Sequence, residues 1–119
     1  MEKSLIYAGI IIGKNGAKDQ HIFLLSEQIK NVDWIFATEW AKSLDASLPN
    51  KREQILMLAN MPEMFDDGWY WSEDQVNENS AQAFIRKTSG SYQISGSKLH
   101  KGRACAVLRV DVEFNQKSN

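Results

Sequence analysis

Apolar residues recur along this chain in two rhythms, and the rhythm changes twice. Residues 4–13, SLIYAGIIIG, are rich in β-branched and aromatic side chains and stop at a glycine, which predicts a strand. KNGAKDQ follows with the turn signal Asn15-Gly16, and HIFLLS (21–26) is a second short apolar run. Residues 4 to 26 therefore read as an antiparallel pair.

A helical period takes over next. Asp33 is placed to cap a helix that begins at Trp34, with Trp34, Ala37, Ala41 and Leu44 along one face. Ile35, Phe36 and Trp40 widen that face and predict a well-buried helix. A second helix starts more clearly in SLPNKREQ. Asn50 is its cap, and Glu53, three residues on, can reach back to the cap's own amide. Ile55, Leu56, Leu58 and Ala59 are its expected apolar stripe, and Pro62 ends it.

From Gly68 onward the period becomes two. GWYWS (68–72), AQAFIRK (81–87) and SYQIS (91–95) are strand candidates, with Ser89-Gly90 and Gly96-Ser97 as turns. In RACAVLRVDV, Ala104, Ala106, Leu108 and Val110 share one face while Arg103, Arg109 and Asp111 share the other. That alternation describes a half-buried strand, a candidate for the centre of the sheet. EFNQKSN (113–119) reads as a frayed tail. Two strands, two helices and then several antiparallel strands predict an α+β class, with the helices packed against an antiparallel sheet. At 119 residues the expectation is one domain over 1–119, with its core about 4–112.

Composition narrows the picture by exclusion. A hydrophobic share of 43% with 24% charged residues belongs to a chain that can bury its own core. The formal net charge of −1 gives no reason to expect nucleic acid or an anionic membrane as a partner. Cys105 is the only cysteine, which excludes an internal disulfide and a Cys-rich zinc site and weakly favours a reducing compartment. The apolar run at 5–12 is too short for a signal peptide and lacks a cleavage site, and no run is long enough to span a bilayer.

Charge is distributed unevenly. Between Arg52 and Arg86 there is no Lys or Arg, while Glu53, Glu63, Asp66, Asp67, Glu73, Asp74 and Glu78 fall there. From Arg86 to Val110 there is no acid. Arg86, Lys87, Lys98, Lys101, Arg103 and Arg109 are basic there. Either opposite charges meet across the sheet, or an acidic lobe is available to a basic partner, or a basic lobe to an anion. Asp66, Asp67, Glu73 and Asp74 supply oxygens of the kind calcium takes but lack the spaced DxDxDG loop, so no metal site is expected. His21 and His100 belong to no ligand or triad motif, and Ser72 lacks the glycines of a nucleophile elbow. Cys105, between alanines, has the surroundings of a small hydrophobe. No catalytic residue and no cofactor is expected.

Three stretches, LPNKREQILMLAN, WYWSED and RACAVLRV, occur in the order and rough spacing of a bacterial and phage domain family. The chain resembles that family, named after the C-terminal domain of a Legionella collagen-like adhesin, over roughly residues 5–110. Leu48, Pro49, Asn50 and Glu53 match its helix start, and Tyr70, Trp71 and Ser72 its Tyr-Trp-Ser strand. Arg103, Ala104, Ala106, Val107 and Arg109 match its closing strand. The resemblance implies a C-type-lectin-like fold with Trp71 in the core, and it suggests a phage or prophage product. Glu73 stands where the family has a second serine, and Cys105 where arginine is frequent. The calcium-binding triplets of sugar-binding C-type lectins are absent, so calcium-dependent sugar binding is not implied. Formylglycine-generating relatives of the fold need a cysteine pair, which one cysteine cannot supply.

In a strand Trp69 and Trp71 point to one face and Tyr70 to the other, which makes Tyr70 a candidate contact for a partner. The expected function is a non-enzymatic binding module that recognises a protein or surface polysaccharide through loops between the late strands. Its candidate residues are Tyr70, Glu73, Asp74, Asn77, Asn79 and Tyr92. The alternative is an intracellular, phage-encoded inhibitor or accessory protein that engages a basic host protein through Asp66, Asp67, Glu73 and Asp74. Both place the protein in the host cytoplasm or on a virion.

Overall fold

The N-terminal apolar runs form a long hairpin, as their turn signal predicts. In a computed structural model that describes residues 4–87 and 90–113, β1 (Leu5–Ile11) pairs antiparallel with β2 (Gln20–Val32). The loop between them passes through Asn15 and Gly16 at φ 56° and 87°. Beyond Glu113 the expected frayed tail lies outside the described residues, as does Ser89 of the Ser89-Gly90 turn. β2 runs far past the apolar HIFLLS into polar sequence because its later half continues to pair with the last strand, β6 (Gly102–Asp111).

Both helix starts follow the sequence signals. Asp33 caps α1 (Trp34–Ser43), its carboxylate accepting from Phe36 N at 2.9 Å. Asn50 caps α2 (Lys51–Asn60), accepting from Glu53 N at 2.9 Å, while the Glu53 carboxylate accepts from Asn50 N at 2.8 Å. A single 3-10 turn at Pro62–Met64 follows. The expected α1 stripe is buried at Trp34, Ala37 and Ala41 but is not widened by Ile35 and Phe36, which are exposed, whereas the buried face of α2 differs from its expected stripe. In α2 the buried residues are Glu53, Gln54 and Met57, with Ile55 56% exposed.

The remaining strands are β3 (Gly68–Gln75), β4 (Ser80–Arg86) and β5 (Tyr92–Ser97). The sheet order is β1-β2-β6-β3-β4-β5, which sets β6 at the centre. All neighbours are antiparallel except β3 and β6, which run parallel and meet at the single pair Tyr70–Arg103. The sheet is thus mixed, not the purely antiparallel one expected. Side chains stitch this thin seam. Trp71 Nε1 donates to Val32 O (3.2 Å), and Trp34 Nε1 donates to Ser72 O (2.8 Å). Gly96-Ser97, expected as a turn, lies inside β5. A glycine is required there because a β-carbon at 96 would overlap Trp69 Cη2.

The two helices cover opposite faces of the sheet. α2 lies over Ala8, Ile22, Leu24, Tyr70, Phe84, Cys105 and Val107 through Met57 and its neighbours. α1 lies over Leu25, Trp71, Ala81, Ala83, Ala104 and Ala106. Residues 104–107 of β6 are therefore buried on both faces, so that strand is more deeply enclosed than its alternation predicts. The fold class is α+β. Among the described residues no helix is long and apolar enough to cross a membrane.

Candidate functional site

The segments LPNKREQ, WYWSED and RACAVLRV converge on the N-terminus of α2. Glu53, 1% exposed, receives Arg109 Nε at 2.6 Å and Arg109 Nη2 at 2.9 Å in addition to the Asn50 amide. Arg109 Nη2 also donates to Leu48 O (3.2 Å) and lies 3.2 Å from Glu73. The hydrogen bond to Glu53 pushes the Arg109 guanidinium above its already high ordinary value. Burial raises the Glu73 carboxyl above the usual carboxylate range, against the pull of Arg109. Asp74 Oδ2 accepts from Lys51 N (2.8 Å) and from Ser72 Oγ (2.9 Å). Glu73 and Asp74, expected to face a partner, thus hold the helix start in place.

Tyr70 requires a correction, because it is fully buried. It stacks on Phe84 at 5.3 Å and meets Phe65 edge-on at 5.2 Å, and its hydroxyl accepts from Asp66 N at 3.0 Å. Burial raises its phenol above the ordinary value. Alternation places Tyr70 opposite Trp71, as expected, but α2 covers that opposite face. Trp71 is a core residue and Trp69 packs against it at 5.5 Å.

The acidic residues do not form one lobe. Asp66 and Asp67 precede β3 whereas Glu73 and Asp74 lie at its far end, roughly 20 Å away at about 3.3 Å per residue. Separation on that scale exceeds the screening length of about 10 Å at ordinary salt. Arg103 Nη1 meets Asp66 at 3.5 Å, and Arg109 takes Glu53 and Glu73. Opposite charges meet across the sheet. Among the described residues no group of three or more His, Cys, Asp or Glu side chains is arranged to hold a metal ion.

Asn77 and Asn79 are exposed in the β3–β4 connection, where Asn77 Oδ1 accepts from Asn79 N at 2.8 Å. Tyr92 is 48% exposed and lies elsewhere, at the start of edge strand β5. It lines a cleft of about 250 Å³ with Gln54, Ile55 and Leu58 of α2, Phe84 of β4 and Gln93 of β5. Lys87 Nζ stands 5.5 Å from the Tyr92 ring centre. Gln93 Nε2 reaches Lys51 O at 3.4 Å, which ties β5 to the start of α2. Gln54 is 2% exposed, and its Nε2 donates to Tyr70 O at 3.3 Å. Because a backbone carbonyl only accepts, that bond fixes the amide orientation. It leaves Gln54 Oε1 buried with no hydrogen-bond partner, a state that costs about 1–3 kcal/mol and favours an incoming donor.

The groups considered for catalysis are occupied elsewhere. Ser72 is buried and bonded to Asp74. His21 Nδ1 is 2.8 Å from Tyr7 Oη, and the His100 ring lies 4.2 Å from Trp69. Burial pushes the Cys105 thiol up to about 12. No family model matches the chain, and no curated protein matches it.

Of the cleft residues, the sequence pattern singled out only Tyr92. An amide gives no signal in a stripe of apolar residues, which hides Gln54, and Ile55 belongs to the stripe expected to face the core but is 56% exposed. Gln54 is drawn inward by a backbone carbonyl, which turns Ile55 out to the cleft.

Proposed function

We propose that this chain is a non-enzymatic binding module of C-type-lectin-like fold that recognises a protein or surface polysaccharide at the β4–β5 side of the sheet. One observation carries the reading: the cleft at Tyr92 joins an aromatic rim, apolar walls and the amide side chain of Gln93. Concave apolar surfaces with a few convergent polar groups are where ligands are held. At about 250 Å³ it suits one side chain or one sugar ring. Tyr92 offers a flat apolar face to either, and the Gln93 amide lies beside it in the lining. The lectin-like part of the reading is supported by the early strand β2 pairing with the last strand β6, with both helices between them in sequence.

An acidic-lobe inhibitor has less support, since Asp66 and Glu73 have arginine partners and the two acid pairs lie apart. The test is capture from cell lysate together with a glycan array, using the wild type, a Tyr92→Ala/Ile55→Lys variant and an Asp66→Lys/Asp67→Lys variant. The cleft reading expects a tenfold or greater loss in the first variant and little change in the second. The opposite pattern would favour the acidic alternative. An enzymatic turnover abolished by Ser72→Ala would overturn the non-catalytic reading.

A further inference from the structure

On the α1 side of the sheet, α1 packs over Leu25, Ala104 and Ala106, and the rows of β1, β2 and β6 beyond them are open. One row pairs Tyr7 with Phe23 and Leu108, and the next pairs Ile10 with His21 and Val110. The bulge between Tyr7 and Gly9 brings Ile10 onto the same face as Leu5 and Tyr7; strict alternation would turn it away. Leu5, Tyr7, Ile10, Ile12 and Val110 are 49%, 49%, 43%, 59% and 50% exposed. None of the paired positions in these rows carries a charge. Arg109 and Asp111 alternate to the other face of β6, where Asp111 accepts from Gln20. At this end the open face is thus apolar, and the charged side chains of β6 lie on the opposite one.

We propose that this face is the docking surface for a second copy of the chain, packed sheet on sheet about a two-fold axis. Side chains of roughly 150–200 Å² that are half exposed leave about 400 Å² on those five residues. With the partly covered Phe23, His21 and Leu108, two copies bury about 1,000 Å², the lower bound for a specific interface. An isologous contact sets the same patch against itself, residue i on j and j on i, so an apolar patch meets an apolar patch without burying charges. The rows here contain none. Tyr7 Oη and His21 Nδ1 are 2.8 Å apart, so these two atoms keep each other as partners on leaving water. The N-terminal hairpin rows are twisted antiparallel sheet, which stacks on another at about 10 Å with strands some 30° apart.

The experiment is sedimentation of the full chain over a range of concentrations, with Ile10→Lys and Val110→Lys beside the wild type. A concentration-dependent dimer is expected, and each lysine should raise its dissociation constant about tenfold or more while the melting temperature changes little. Amide exchange read on the wild type alone is the second measurement, and protection in β1 and the first half of β2 should grow with concentration. A chain that stays monomeric overturns the proposal. So does a dimer indifferent to both lysines. A monomer that instead floats with phosphatidylcholine vesicles would show that a bilayer, not a second copy, covers this face.

Discussion

Trp69, Tyr70 and Trp71 divide between the two cores on either side of the sheet, and their neighbours are fitted around them. Trp71→Ala removes a fully buried ring and its bond to Val32, so a loss of about 3–5 kcal/mol is expected from denaturant unfolding. Gly96→Ala forces Trp69 aside. A loss of about 1–3 kcal/mol is expected, with a shift in tryptophan emission. Cys105 gives a pH signature. Its folded-state value is raised from 9.0 to about 12, so its share of stability is full below pH 9.0 and is lost as pH climbs toward 12. Native protein should resist iodoacetamide at mildly alkaline pH, and labelling should proceed only at the rate of global opening. The burial of Trp71 was expected from the family resemblance, alternation adding only that Trp69 shares its face. The burial of Tyr70 was not. A period of two says which side a residue takes, but not whether a helix from elsewhere in the chain covers that side.

Among the elements, α2 is the one whose start was most fully written in the sequence and whose faces were least so. Asn50→Ala should cost about 1 kcal/mol through the lost cap. Arg109→Met should cost more, about 3–5 kcal/mol, because it leaves the Glu53 carboxylate buried without its cation. A double variant, Arg109→Met with Glu53→Gln, should recover part of that loss, and calorimetric melting of the set checks the coupling. The capping box is local in sequence and so could be read directly. Inward placement of Glu53 and Gln54 depends on Arg109 and on the Tyr70 carbonyl, partners that are distant in the chain. Charge and amide usually mark the wet side of a helix, and here they mark the dry one.

For the whole molecule, the α+β class and the central place of β6 could be anticipated, whereas the parallel meeting of β3 and β6 could not. Periodicity reports which residues share a face but says nothing about strand direction across a crossover. Since β6 borders both halves of the sheet and each helix packs on one side of it, the described fold should melt as one unit. Coincident transitions by far-ultraviolet circular dichroism and tryptophan fluorescence are the check. The β1-β2-β6 arrangement has a mechanical corollary. Leu5 and Asp111 lie at opposite ends of strands bound side by side through β2. Tension applied across those two residues would strain the ladder bonds in shear, all together, and would leave β3, β4, β5 and the Tyr92 cleft outside the line of force. A module tethered in that way could grip its partner under load without the grip itself being stretched.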